Sequence, residues 1–284
     1  MAAILGTAEL IRNALRGPEV SSAEGLVVER WADRPARLAR MDRLCAIALV
    51  ACDAALVDAG ASPGASTWRP ERTGVVLGTA FGCHATNERY YRGYLGGGVD
   101  GASPRDFAYT LPSSPVGEIT IHHRILGPAS TTVAGLSAAI DALAEAMRHL
   151  AADRADHVLV AAADVSTPML GRMGLPAAHD CAASLWLARA GDGPRVERAI
   201  GRYVAGDPVA AARAAVDALR VEPSAIYASA LVRAAFAGAR ALDERALSAA
   251  PLLAVRHALA ARERAGVIVA ADPAGQAGAA LVAV

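Results

Sequence analysis

Residues 127 to 143, GPASTTVAGLSAAIDAL, leave a Gly-Pro turn, pass through a short β-branched run, break at small residues and enter a helical pattern. β-Branched side chains suit the pleated strand and small residues permit a tight turn, so the stretch predicts a strand feeding directly into a helix. In α/β enzymes such a junction is a common mount for a nucleophile, because it lifts one side chain above the sheet at the head of the helix. The residues at this break are Gly135, Leu136 and Ser137. Whether any of them is reactive decides what chemistry the chain can perform.

The same strand-then-helix alternation recurs along the chain. RLARMDRLCAIALVACDAALVDAG (37 to 60) places Leu38, Met41, Cys45, Leu49, Cys52 and Leu56 at three- and four-residue spacing and stops at Gly60, the pattern of an amphipathic helix. RTGVVLGTAFG (72 to 82) reads as a buried strand and ATNERYYRGYLGGG (85 to 98) as a shorter helix ending in glycines. STTVA (130 to 134) is the next strand, and Leu136, Ile140, Leu143 and Met147 form one face of the helix after it. DHVLVAAADVS (156 to 166) and CAASLWLARA (181 to 190) are further strands. Beyond the Gly-Asp-Gly-Pro break at 191 to 194 the grammar repeats in less space: VERAIGRYV as strand, DPVAAARAAVDALR as helix, AIYASA as strand, two Ala/Leu/Arg-rich helices, then AGVIVAA and AALVAV as strands. Such alternation implies an α/β fold, a mainly parallel sheet with helices on its faces.

Composition removes several function classes. Basic and acidic residues balance at 28 each in 284 residues, which leaves no net field to draw the chain to nucleic acid or an acidic membrane. All of the basic residues are arginine, so a lysine Schiff base, a lysine-held pyridoxal cofactor and a Walker A phosphate site are excluded. No cofactor is expected. Cys45, Cys52, Cys83 and Cys181 lack CxxC spacing, no basic-then-apolar leader opens the chain, and apolar runs such as VLVAAA are too short to span a bilayer. A reduced, cytoplasmic protein is the expectation. Aromatic residues, 4% of the chain, give little material for stacking on bases.

Two kinds of chemistry can be tested on the residues alone. A serine-hydrolase elbow needs G-x-S-x-G, and Gly135-Leu136-Ser137-Ala138-Ala139 falls one glycine short. Asp164 and His257 follow in that fold's Ser, Asp, His order, but His257 lies in the strongly helical run LLAVRHALAARERAG rather than on a loop. For a metal, His122 and His123 are adjacent and point to different faces, and Cys83-His84 has the same defect, so these histidines read as surface or core residues.

The order of segments resembles the β-ketoacyl synthases of the thiolase fold. RMDRLCAIALVACDAALVDAG is similar to the helix before their first core strand, RTGVVLGTAFG to that strand, and FAYTLPSSPVGEITIHHRILGPASTTV (107 to 133) to the segment leading to their active-site strand. The resemblance covers residues 37 to 190 and thins afterwards. It implies a thiolase-like fold of two related α/β halves with helices covering mainly parallel mixed sheets: residues 1–190 as the synthase-like N-terminal half and 191–284 as a shortened C-terminal half.

In that family the Gly-Pro turn leads to T-A-C-[AS]-S, whose cysteine carries the acyl chain. An ungapped count from Gly127-Pro128 puts Leu136 on the nucleophile, while a shift of one residue brings Gly135 or Ser137 there. The family's first histidine motif is similar to AIYASALVRAAFAG (225 to 238), with Ser229 in the place of the histidine. The second, K-x-x-x-G-H, cannot exist without lysine, and AADPAGQAG (270 to 278) keeps only the glycine turn of the terminal loop. Decarboxylative condensation needs a thiolate and two imidazoles. The resemblance therefore implies a catalytically degenerate subunit of the chain-length-factor type, resembling those of type II polyketide and, from its shortness, aryl-polyene systems. Such a subunit would form a heterodimer with an active β-ketoacyl-ACP synthase through STTVA, meet acyl carrier protein through the complex, and shape the acyl tunnel. Phe107, Tyr109, Leu111, Thr132 and Leu136 are the candidate wall and interface residues. The competing readings are an acyl-transferring or hydrolytic enzyme using Ser137 or Cys83, and a scaffold with no tunnel role.

Overall fold

A computed structural model of the chain describes residues 1–11, 40–65, 68–175 and 179–284. Its strands are β1 (Ala2–Ile11), β2 (Thr73–Thr79), β3 (Ala129–Val133), β4 (His157–Asp164), β5 (Cys181–Ala188), β6 (Arg195–Tyr203), β7 (Ala225–Ala228), β8 (Arg240–Ala241), β9 (Gly266–Ala271) and β10 (Gln276–Ala283). They form one ten-stranded sheet in the order β3-β2-β4-β5-β1-β6-β10-β9-β7-β8. Outward from the middle, β1-β5-β4-β2-β3 on one side is matched by β6-β10-β9-β7-β8 on the other. The pairing senses match as well. β2 lies parallel to β3 and β4, and β5 antiparallel to β4 and β1; β7 lies parallel to β8 and β9, and β10 antiparallel to β9 and β6. In the sheet the two sides are joined by the pairing of β1 with β6, Ala2 opposite Val196 and Ala3 opposite Arg195.

The helices are α1 (Arg43–Asp58), α2 (His84–Gly101), α3 (Pro104–Phe107), α4 (Ser114–His123), α5 (Ala138–Ala151), α6 (Pro168–Arg172), α7 (Pro208–Leu219), α8 (Ala230–Arg233) and α9 (Ala250–Ala260). α5 and α9 share one core with both half-sheets: Ile140 and Leu143 of α5 and Leu252 and Val255 of α9 pack with Val76 and Val160 from one side and Ile268 and Val282 from the other. α1 covers the outer face of the first half against Leu77, Leu159 and Trp186. α7 covers the outer face of the second against Val267, Val269 and Leu281. Among the described residues the two halves of the sheet thus enclose α5 and α9 between them and carry α1 and α7 on their outer faces, a layering of helix, half-sheet, helix, half-sheet, helix.

Several sequence expectations are refined by this architecture. The parallel pairings are confined to the strand triplets β3-β2-β4 and β8-β7-β9, and the local reversals β4–β5 and β9–β10 make the sheet mixed. α1 starts at Arg43, where the Asp42 carboxylate accepts from the Leu44 N–H at 3.1 Å, an N-cap bond. It is buried almost all round rather than on one face, because it lies between the half-sheet and α4. Leu38, expected on that helix, lies outside the described residues. β1 is a central strand with no counterpart in the sequence reading. Of the two helices expected between β7 and β9, the first is the four-residue α8 and the second is α9, entered through a 3-10 segment, Glu244–Ala249. No helix among the described residues is long and apolar enough to cross a membrane.

Candidate functional site

The strand-to-helix junction forms as its sequence dictates. β3 lies at the edge of the sheet and pairs in register with β2, Thr132 opposite Gly78. Gly78 lets the head of α5 come close, since a Cβ there would stand 2.5 Å from the Ala138 carbonyl oxygen. The chain then turns through Gly135, at φ +57°, and a 3-10 turn, Gly135–Ser137, opens α5. A positive φ is the conformation glycine adopts without a Cβ penalty, which is why a glycine stands at the bend.

The three residues at the break have different surroundings. Leu136 is half-buried and packs on Ala80, Leu170 and Leu247 together with Phe81 and Leu175. Ser137 is fully buried; its hydroxyl donates to the Ala134 carbonyl at 3.0 Å and lies 3.4 Å from the Asp141 carboxylate. Burial raises the Asp141 carboxyl above the ordinary carboxylate range, against hydrogen bonds from Gln276 and Ser137 that lower it. The head of α5 thus presents hydrocarbon at 136 and, at 137, a buried hydroxyl hydrogen-bonded to the Ala134 carbonyl and the Asp141 carboxylate.

The other candidate nucleophile and bases each have their own surroundings. Cys83 is buried at the head of α2, its thiol donates to the Leu111 carbonyl, and burial followed by the Asp42 charge pushes its pKa up to about 12. His257 is exposed on α9. Asp164 is fully buried and accepts from the Thr79 hydroxyl at 2.8 Å, the Ala80 N–H at 2.9 Å and the Ser248 N–H at 3.1 Å. Burial raises its pKa against those hydrogen bonds. Ser229 is buried at the end of β7, where its hydroxyl accepts from the Ala271 N–H at 3.2 Å. Among the described residues no group of three His, Cys, Asp or Glu could hold a metal ion.

The candidate wall residues have differing exposures and neighbours. Phe107 ends α3 with its ring 5.7 Å from that of Tyr90 and is 62% exposed. Leu111 is 64% exposed. Tyr109 is half-buried, donates to Glu118 at 2.9 Å, and has its pKa raised to about 12 by burial and then by Glu118. It borders a polar cleft of about 410 Å³ with Asp42, Arg43, Arg89 and Asp106. Thr132 is half-buried on the edge strand. A more apolar cleft of about 520 Å³, not anticipated from the sequence, is lined by Phe81, His84, Tyr91, Leu95 and Met169 beside the Leu136 cluster. The run AFGCH directly after β2 is the signal for it: an aromatic residue held at a glycine turn where a strand ends.

Comparison with known proteins fits this geometry. A profile of the β-ketoacyl synthase N-terminal domain matches residues 26–184. The chain is 32% identical over 136 residues to the tetracenomycin polyketide synthase ketoacyl synthase alpha subunit of Streptomyces glaucescens, covering 46% of this chain and 32% of that protein. It is 38% identical over 128 residues to the oxytetracycline polyketide putative beta-ketoacyl synthase 1 of Streptomyces rimosus, covering 43% and 29%. The aligned region thus spans about a third of these relatives' own length. Among solved structures, a β-ketoacyl synthase from Burkholderia phymatum STM815 superposes with a TM-score of 0.77 at 13% identity over 99% of this chain and 98% of that one. The ishigamide ketosynthase/chain length factor superposes with a TM-score of 0.68 at 23% identity over 91% and 84%. These superpositions establish a thiolase-like ketosynthase fold, and with the profile match across more than half of its length the chain belongs to the β-ketoacyl synthase family.

Proposed function

We propose that the protein is a non-catalytic ketosynthase-like subunit of the chain-length-factor type, which pairs with an active β-ketoacyl-ACP synthase and helps shape its acyl tunnel. The observation that carries this reading is the turn at the head of α5, where Gly135 has no side chain, Leu136 is packed in hydrocarbon and the Ser137 hydroxyl is committed to the Ala134 carbonyl. Acyl transfer needs a nucleophile there, so either count along the turn yields the same result. Ser229, in place of the first histidine, supports it: the position offers a neutral hydroxyl that accepts from the Ala271 N–H, and no imidazole.

The pairing surface in this reading is the outer edge of β3. Leu126 in the connection from α4, Ile121 on α4 and Val133 at the end of β3 are all more than half or half exposed, at 69%, 67% and 50%. An edge strand flanked by apolar side chains suits addition of a strand from a partner. In this reading Phe107, Tyr109, Leu111, Thr132 and Leu136 belong to the tunnel wall or interface; the exposure of Phe107 and Leu111 is compatible with cover by a partner. The acyl carrier protein would be met through the complex, and the pathway is of the polyketide or aryl-polyene kind. We further read residues 1–190 and 191–284 as the two thiolase-like halves, a division that fits the repeated strand order. A reduced, cytoplasmic setting fits four buried free cysteines. Co-expression with candidate synthases followed by affinity capture tests the proposal: a stoichiometric heterodimer supports it, and failure to capture a synthase, with the protein folded, overturns it in favour of the enzyme or scaffold reading.

A further inference from the structure

Asp164 and Asp272 occupy equivalent places in the two halves. Asp164 ends β4 and pairs with Cys181, the first residue of β5; Asp272 follows β9 and donates its N–H to the carbonyl of Gln276, the first residue of β10. Each side chain crosses to the turn that opens the central helix of the other half. Asp164 accepts from Ser248, the neighbour of Leu247, whose φ is +46°. Asp272 reaches Gly135, at φ +57°. Leu247 and Gly135 correspond as well, each standing three residues ahead of the first residue of its helix, Ala250 or Ala138.

The two crossings differ in what they leave room for. Leu247 keeps its side chain at its strained bend, whereas a Cβ at Gly135 would lie 2.6 Å from Oδ2 of Asp272 and 3.2 Å from its Cβ. The first distance is well inside van der Waals contact, and the carboxylate cannot simply swing aside. Its Oδ1 accepts from the Ala274 N–H at 2.9 Å, and the Asp272 carbonyl accepts from the Gly275 N–H at 3.1 Å. The backbone bond to Gln276, 2.9 Å, holds the other end of the same turn.

We propose that Asp272 is a built-in plug, its carboxylate occupying the seat of any side chain at position 135 and so barring that bend from carrying a reactive group. A thiol installed there would meet the carboxylate twice, by contact and by a negative charge that opposes thiolate formation. The inference rests on the reading of the β3–α5 turn as the family's catalytic position, but its test does not depend on any partner synthase.

Labelling with iodoacetamide tests it on the 284-residue chain, whose natural cysteines are all buried and give a low background. Gly135→Cys is expected to label slowly and Gly135→Cys/Asp272→Ala several-fold faster, with Asp272→Ala alone at background. Equal rates for the two cysteine variants would overturn the plug. Where a cysteine variant does not fold, the melting temperatures of Gly135→Ala, Asp272→Ala and Gly135→Ala/Asp272→Ala decide. The plug requires the loss from Gly135→Ala to shrink once Asp272 is shortened; additive losses, or no loss from Gly135→Ala, would refute it. Heterodimer capture with wild-type protein reports separately on the proposed function.

Discussion

The carboxylate of Asp164, at the end of β4, accepts a hydrogen bond from the backbone N–H of Ser248 at 3.1 Å and so ties the first half of the molecule to the turn that opens α9 in the second. The same carboxylate holds the Thr79 hydroxyl and the Ala80 N–H at the end of β2, and the Ser248 hydroxyl donates to it as well. Three strand and helix ends thus converge on one buried carboxyl group.

Replacing Asp164 strips these buried donors of their acceptor. At about 1–3 kcal/mol for each donor left unsatisfied, the two backbone N–H groups, which unlike the two hydroxyls cannot turn to another acceptor, set an expected loss of roughly 2–6 kcal/mol for Asp164→Ala. Asp164→Asn keeps the shape but turns an amide N–H toward backbone N–H groups, and is expected to recover only part of the loss. Urea denaturation of the three proteins checks the order wild type, Asn, Ala.

Acid should weaken the fold through buried imidazoles. Burial, and then the neighbouring His122, lowers His123 to about 3, and burial lowers His84 and His157 too. The unfolded chain binds a proton at each below its ordinary value near 6.5, so the unfolded state takes up more protons and stability falls as pH drops from about 6.5 toward 3. For His123 alone the loss at pH 5 is about 2 kcal/mol. Asp141 and Asp164, raised by burial, act with the opposite sign, so the informative comparison is between proteins at each pH. His123→Phe should be at least as stable as wild type at pH 8 and should lose less on going to pH 5, as read from melting temperatures across that range.

Disrupting the edge of β3 should break the complex without unfolding the chain. Leu126 and Val133 are exposed, so Leu126→Glu and Val133→Lys are expected to change stability by only about 0.5 kcal/mol. If they sit at the centre of the interface, each should weaken heterodimer formation by about 2 kcal/mol or more. Surface plasmon resonance against the captured synthase, beside a melting curve of each variant, separates the two effects.

Tunnel length can be read from products. Phe107→Ala and Tyr109→Ala are expected to lengthen the chain released by the heterodimer if these rings cap the tunnel. Phe107 should have the larger effect, because Tyr109 is held in place by Glu118 at 2.9 Å. Mass spectrometry of products from an intact complex measures this, and an unchanged length would remove both residues from the wall.

Much of the fold was legible in the sequence because apolar runs and turn residues report local structure directly. VLVAAAD and VIVAAD carry the same strand ending in the same aspartate, a repeat visible in the letters whose partners, Ser248 and Gly135, are distant in sequence. β1 was missed: AAILGTAELI has neither strict alternation nor an uninterrupted β-branched run, and its place comes from pairing with β5 and β6. The β3–α5 turn was anticipated, but not that Asp272 lies against it. That relation joins residues 137 positions apart through tertiary packing. The apolar cleft beside Leu136 was equally invisible, since α2, α6 and the end of β2 assemble it.

The central claim is that this chain takes no acyl group while its partner does. Intact-mass spectrometry of the heterodimer after incubation with acyl-loaded carrier protein tests it most directly: the acyl mass should appear on the partner synthase and be absent from this chain. An acyl adduct on this chain, lost again in Ser137→Ala or Cys83→Ala, would contradict the account.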